Sequence, residues 1–224
     1  MSKHYDLIVI GGGPGGYTAA IRGAQYGLKT AVVEERELGG TCLNRGCIPT
    51  KALLHTAELY HAAEQDFASL GLKISGLDYD GGQVYARKDQ VVEQLRSGIE
   101  QLLKGNGIDY YPSHGQIKGP GRVLVDEEEL TAERILIASG SKPSLPPIPG
   151  IGSPGVVTSD ELLSAGILQN GRLPGAVTII GGGVIGCEFA GVLNAFGSRV
   201  TIIEALDRLL PGADKDICQN LAQI

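Results

Sequence analysis

Tyr5 to Ile10 (YDLIVI) is a short, nearly unbroken apolar run that passes straight into GGGPGG. Its length and the glycines behind it predict a buried strand rather than a helix. An alanine-rich segment, roughly Gly15 to Tyr26, predicts a helix, and Thr30 to Glu34 (TAVVE) predicts a second strand. The same succession returns in AVTIIGGGVIGCEFAGVLNAFGSRVTIIEA, near the end of the chain. Between the two copies, TCLNRGCIPTKALLHTAELYHAA reads as helix, with apolar positions at Ile48, Ala52, Leu53 and Leu59. The segment YYPSHGQIKGPGRVLVD reads as short strands and turns in a small meander. KPSLPPIPG reads as a connector, because its clustered prolines exclude helix and central strand.

Strand, helix, strand is a βαβ unit, and Gly11, Gly13 and Gly16 stand in the G-x-G-x-x-G register between its first two elements. The first glycine allows a sharp turn and the second lets backbone approach a pyrophosphate. The third lets the helix, with its positive N-terminal dipole, pack close to the strand. Glu34 ends the second strand, where a carboxylate accepts from ribose hydroxyls. A lone glycine motif is a weak signal. Here Gly181, Gly183, Gly186 and Glu204 each lie 170 positions beyond Gly11, Gly13, Gly16 and Glu34. One offset shared by four positions predicts an α/β fold with two Rossmann-like dinucleotide-binding units, the first carrying the β-meander.

Composition adds limits. The 224 residues include 34 glycines and 42% hydrophobic residues, enough for a buried core. The net charge of −6, with no basic run, argues against nucleic acid as a partner. No apolar run approaches the roughly 20 residues of a membrane span, and no leader pattern is read at the start. The expected location is cytoplasmic, where disulfides are usually catalytic or transient. The acidic run Asp126 to Glu129 reads as a solvated turn rather than a metal site. No metal site is expected.

Cys42 and Cys47 stand out in GGTCLNRGCIPTK. On a regular helix, residues five apart are separated by about 7.5 Å of rise, beyond the roughly 4.4–6.8 Å that a disulfide tolerates between Cα atoms. A bond between them therefore needs a distorted or unwound turn, which Gly46 and Pro49 favour. Such a strained bond would be easily reduced. Lys51, four residues after Cys47, is placed to favour a thiolate or an anionic flavin. A redox pair is the preferred reading, with two inert thiols and a zinc site as alternatives; zinc lacks further ligands at suitable spacing. Cys187 and Cys218 have no partner at suggestive spacing and read as inert. His4 reads as a solvated tail, His55 and His61 as helix surface, and His114 as loop. Two dinucleotide sites suggest an electron relay. The site next to the cysteines suits flavin, which exchanges electrons with sulfur, and the other suits nicotinamide.

GGTCLNRGCIPTKALLH resembles the redox motif of the flavin-dependent pyridine nucleotide-disulfide oxidoreductases. The resemblance extends through IVIGGGPGGYTAAIRGAQYGLKTAVVE, VVEQLRSGIEQLLKGNGI, RILIASGSKPSLPPIPG and EALDRLLPGADKDI. It implies FAD at the first unit and NAD at the second. Cys42 would exchange with substrate sulfur. Cys47 would lie against the flavin as a charge-transfer thiolate, and Lys51, near the reactive flavin nitrogen, would pair with Glu188. FAD would be held by Gly11, Gly13, Pro14, Gly15, Gly16, Glu34, Gly40, Thr41, Cys42, Lys51, Gly115, Ala138, Ser139 and Gly140. Ser139 stands where the family usually has threonine. NAD would be held by Gly181, Gly183, Val184, Ile185, Gly186 and Glu204, whose carboxylate would repel the 2′-phosphate of NADP.

Val184 and Glu204 favour the branch that oxidises protein-bound dihydrolipoyl groups over the glutathione- and mercuric-reductase branches. Expected partners are lipoyl-bearing proteins of 2-oxoacid dehydrogenase complexes or of the glycine cleavage system, and a second copy of the full-length protein. The expected division is an FAD-binding domain over 1–147, a connector over 148–171 and the start of an NAD-binding domain over 172–224. Family members are about twice as long. The rest of the second unit, a later FAD-binding segment and a C-terminal interface domain with a His-Pro motif are not found in these residues. The alternative expectation is accordingly a flavoprotein piece without turnover.

Overall fold

The computed structural model describes residues 3 to 223. They form two compact units: residues up to Pro49 with Gln90–Ile151, and Thr50–Asp89 with residues from Gly152 onward.

The first unit is built on a six-stranded mixed sheet. Its chain runs β1 (His4–Ile10), α1 (Pro14–Gln25), β2 (Thr30–Val33) and the short helix α2 (Gly40–Arg45). It continues with β3 (Asp109–Tyr111), β4 (Gly115–Gly119), β5 (Arg122–Val125) and β6 (Glu128–Ile137). The strand order is β3-β2-β1-β6-β5-β4. β1 runs parallel to β2 and β6, with Val9 beside Val32 on one side and Leu136 on the other. β4, β5 and β6 form an antiparallel meander. All four residues of β2 are buried, as expected of a parallel strand covered on both faces. The helix α4 (Gly81–Gly105) places Val92, Ile99 and Leu103 against Val9, Ala20 and Val32. Burial of each such large side chain stabilises by about 1.5–3 kcal/mol.

In the second unit, helix α3 (Cys47–Gln65) contributes Leu53 and Ala57, and the start of α4 contributes Tyr85. A capped turn α5 (Ser159–Leu162) precedes β7 (Ala176–Ile180), α6 (Val184–Ala195), β8 (Arg199–Ile203) and α7 (Lys215–Leu221). β7 and β8 pair in parallel. Phe189, Val192, Leu193 and Phe196 face the core. The Tyr85 hydroxyl donates to Leu162 O at 2.9 Å, and buried Lys88 donates to Leu163 O at 2.7 Å. These bonds fasten α5 to α4. Burial pushes the Tyr85 phenol up to about 12.

Three expectations are corrected. His4 is part of β1, with Nδ1 3.0 Å from Thr131 Oγ1, because its strand pairs with β6. Leu59 is 57% exposed, so it belongs to the outer face of α3. Of the acidic run, only Asp126 and Glu127 form the turn; Glu128 and Glu129 pair with Val125 and Leu124 in the β5–β6 hairpin. His55 and His61 are exposed on α3.

Candidate active site

β1 ends in a turn whose first residue, Gly11, has φ +105°. Its N–H donates to Val33 O at 2.8 Å. A Cβ here would lie 2.1 Å from the Ala138 carbonyl oxygen, so the chain just after β6 passes too close for any side chain. A Cβ on Gly16, in the first turn of α1, would lie 1.8 Å from Gly11 O. The third glycine thus lets the helix pack on the turn. The middle residue, Gly12, donates its N–H to Glu34 Oε2 at 2.8 Å, and Glu34 Oε1 accepts from Arg36 N at 2.8 Å. Gly12 O in turn accepts from Gly39 N at 2.8 Å. The acid therefore holds one end of this peptide and the chain just after the acid holds the other.

The second unit repeats the arrangement. Gly182 N donates to Glu204 Oε2 at 2.7 Å, and Leu206 N donates to Glu204 Oε1 at 2.9 Å. Gly182 O accepts from Leu210 N at 2.8 Å. A Cβ on Gly186 would lie 2.2 Å from Gly181 O. Bonds from Leu206 N and Gly182 N hold the Glu204 carboxyl below its usual range. Burial, and then the Glu204 charge, push the Cys187 thiol up.

These turns fit a dinucleotide. At the second glycine of each motif, Gly13 and Gly183, φ is −73° and −74°; a Cβ on Gly13 would meet only Gly40 Cα, at 3.6 Å, and nothing lies within 4 Å of one on Gly183. Neither strain nor packing within the protein asks for glycine there; the space matches the approach of a pyrophosphate. Pro14 and Val184 open α1 and α6. Val184 and Ile185 are 62% and 60% exposed at the mouth of the second turn. In the first unit, Gly40 packs on Gly13, and Ala138 N donates to Ile10 O at 2.7 Å. Ser139 and Gly140 continue outward and are exposed. Gly115 lies against Val33, beside the strand end that leads to Glu34. The first-unit candidates other than the cysteines thus gather at the C-terminal ends of β1, β2 and β6. β1 is the point where strand order reverses, and such crevices take ligands in open α/β sheets.

Thr41 and Cys42 lie in α2, which ends at Arg45. Gly46 breaks the helix, and α3 starts on Cys47, an exposed thiol. A Cβ on Gly46 would lie 2.9 Å from Thr41 O and 3.3 Å from Cys42 Cα. The chain thus folds back at Gly46 onto Cys42, immediately before Cys47, the kind of interruption that a bond between the two would need. In the second unit, Lys51 on α3 donates its Nζ to Glu188 Oε1 on α6.

Among the described residues, no group of three or more His, Cys, Asp or Glu could hold a metal. None of the described helices is long and apolar enough to cross a membrane.

The family model for "pyridine nucleotide-disulphide oxidoreductase" matches residues 5–224. The chain belongs to this family. It is 48% identical to dihydrolipoyl dehydrogenase of Acholeplasma laidlawii, over 97% of its own length and 64% of that protein's. It is 42% identical to the Bacillus subtilis dihydrolipoyl dehydrogenase, over 100% and 49%. A solved structure of the HOCl-induced flavoprotein disulfide reductase RclA from Escherichia coli superposes with a TM-score of 0.82 at 36% identity. That match covers 98% of this chain and 46% of the other. The chain thus spans about half to two-thirds of these relatives.

Within the family frame, three features escaped the sequence reading. The middle glycines, Gly12 and Gly182, bind the acids. The residues after each acid strap the glycine turn. Asn44 Nδ2 donates to Leu38 O at 2.9 Å and Gly40 O at 3.0 Å, fixing α2 to the first strap. A comparison of EERELGG with EALDRLLPG carried the signal for the straps. The leucine there recurs 171 positions on, not 170.

Proposed function

We propose that the chain is the flavin- and nicotinamide-binding part of a disulfide oxidoreductase that oxidises protein-bound dihydrolipoyl groups with NAD. The carrying observation is the recurrence of one carboxylate-held glycine turn in both units, with the cysteine pair directly after the first. FAD would be held by the first-unit residues named above together with Lys51, and NAD by Gly181, Gly183, Val184, Ile185, Gly186 and Glu204. The functional division is then FAD binding over 1–147, a connector to 171, and NAD binding from 172. FAD, when bound, supplies the two-electron acceptor for the cysteine pair.

The chain's own residues carry the sulfur chemistry. A dihydrolipoyl thiolate attacks Cys42 Sγ of an oxidised Cys42–Cys47 pair, forming a mixed disulfide and releasing Cys47 as thiolate. The second dihydrolipoyl sulfur then displaces Cys42, leaving a lipoyl disulfide and a reduced pair, with two electrons transferred. Lys51, oriented by Glu188, supplies positive charge one helical turn beyond Cys47. The Glu204 carboxylate has lone pairs left over from its two backbone donors, and these suit ribose hydroxyls and disfavour a 2′-phosphate. Lipoyl-bearing proteins of 2-oxoacid dehydrogenase complexes or the glycine cleavage system are the matching partners. A homodimer and a cytoplasmic location belong to the same reading.

Anaerobic mixing of the flavin-loaded protein with dihydrolipoamide should bleach the flavin, and Cys42→Ser should abolish this. Bleaching of Cys42→Ser at the wild-type rate would overturn the reading. Alkylation without reductant should leave Cys42 and Cys47 of the oxidised protein unlabelled. Glu204→Ala should weaken NAD about tenfold and relieve the bias against NADP, as loss of a charged hydrogen-bond acceptor implies. An unchanged preference would remove Glu204 from the assignment.

A further inference from the structure

The second strap closes over Gly182 much as Leu38 closes over Gly12, where Leu38 Cδ2 lies 2.7 Å from where a Cβ would stand. Leu209 Cδ2 lies 2.6 Å from where a Cβ on Gly182 would stand, so the leucine occupies the space that the glycine leaves. Leu210 donates its N–H to Gly182 O at 2.8 Å. It does so with φ +49°, where an L side chain is strained. The corresponding donor in the first unit is a glycine, Gly39, at φ +96°. Something must hold Leu210 in that conformation.

The Leu210 carbonyl supplies the hold. It accepts from Ala213 N at 2.8 Å and from Cys218 Sγ at 3.2 Å, and the same thiol reaches Ala213 O at 3.5 Å. Cys218 is 2% exposed, on the inner face of α7. A continuous path thus runs from the Cys218 thiol through the Leu210 peptide to Gly182, and from Gly182 N–H to the Glu204 carboxylate.

We propose that Leu209, Leu210 and Cys218 are positioning residues of the second dinucleotide site, a strap that fixes the Gly182 peptide and through it the Glu204 carboxylate. The inference rests on the reading of this unit as the nicotinamide-dinucleotide site. No residue of the strap need touch nucleotide. Cys218 acts as a buried donor that offsets strain at a residue where the first unit uses glycine.

The test compares wild type with Cys218→Ala, which removes the donor, and Cys218→Ser, which keeps one. Leu209→Ala, which empties the space over Gly182, is a second probe. Three readouts are taken on the labelled protein: amide exchange at Gly182 and Leu210, the NMR titration of the Glu204 carboxyl, and NADH affinity by fluorescence. Cys218→Ala should speed Leu210 exchange about fivefold or more, move the Glu204 titration up toward the ordinary range and weaken NADH. Cys218→Ser should stay within about twofold of wild type. Leu209→Ala should track Cys218→Ala. Unchanged exchange at Leu210 in Cys218→Ala would overturn the proposal. So would faster exchange with unchanged NADH affinity, since the strap would then be structural only. A wild-type protein that binds no NADH would defeat the nucleotide reading of this unit. Exchange and the Glu204 titration would still decide whether the strap holds the carboxylate.

Discussion

β1 and β7 end in the same glycine turn but live in different surroundings. β1 lies between β2 and β6, and Tyr5, Ile8 and Val9 are fully buried. Among the described residues β7 pairs only with β8, and Ile180 and Ile203 at the two strand ends are each 55% exposed. Gly11 is hemmed in by Ala138, whereas nothing lies within 4 Å of a Cβ on Gly181. Yet φ is +105° at Gly11 and +108° at Gly181, and the bonds from the middle glycine to the acid measure 2.8 and 2.7 Å. The turn therefore takes its shape from the βαβ segment itself, with no help from a third strand. The third strand adds burial and a wall.

The sharpest way to break that comparison is to place alanine at both first glycines. Gly11→Ala meets a carbonyl at 2.1 Å as well as an unfavourable φ. A cost of about 3 kcal/mol or more is expected, since a backbone clash adds to a positive-φ penalty of about 1–3 kcal/mol. Gly181→Ala meets only the φ penalty. Hydrogen exchange resolved by unit measures each loss separately. Equal losses in the two variants would show that the wall beside Gly11 yields easily and that the contrast between the turns is smaller than its geometry.

The turns were legible in the sequence because their glycines and acids repeat with one offset, and local chemistry dictates local shape. The helix break before Cys47 was legible only as a condition: a bond between cysteines five apart would require it, and Gly46 and Pro49 favour it. The straps were not. The one-residue slip between Glu34…Leu38 and Glu204…Leu209 hides them from a fixed offset, and Leu210 does not announce a positive φ as glycine would. His4 was misread because the pairing that orders it comes from Thr131, far along the chain. The bond from His114 Nδ1 to Glu35 Oε2, at 2.7 Å, is nonlocal in the same way.

A smaller effect arises from the element that comes after each strap. In the first unit this is α2, which leads to Gly46 and Cys47. In the second it is α7, with its buried lone thiol. Gly46→Ala puts a methyl 2.9 Å from Thr41 O. Such overpacking typically costs about 1–3 kcal/mol, and it acts on the fold-back at Gly46, between Cys42 and Cys47. Formation of the Cys42–Cys47 disulfide, measured against a glutathione buffer, should become about tenfold less favourable. An unchanged equilibrium would mean that the fold-back is not what allows the cysteines to meet.

The smallest effect tests whether the second carboxylate clamp stabilises its unit without a third strand. The Glu204 carboxyl is held below its ordinary value by bonds from Leu206 N and then Gly182 N. A carboxyl with a depressed folded pKa contributes stability that is fully present above its unfolded value. That contribution is lost as pH falls through the folded value. Glu204→Gln stays neutral throughout and removes this dependence. Asp78 and Glu161 in the same unit are also held low, by Arg172 and Thr158. Only the difference between wild type and Glu204→Gln therefore isolates the clamp. Urea midpoints of the second unit, measured from neutral pH downward, should show wild type ahead, with the gap closing below about pH 4.5. Because Glu204 is only partly buried, water and salt screen part of the gap, and added salt should narrow it. A gap that stays constant with pH would show that the Glu204 bonds shape the turn without lending it charge-dependent stability. The backbone geometry shared with Gly12 would then owe nothing to the acid's ionisation.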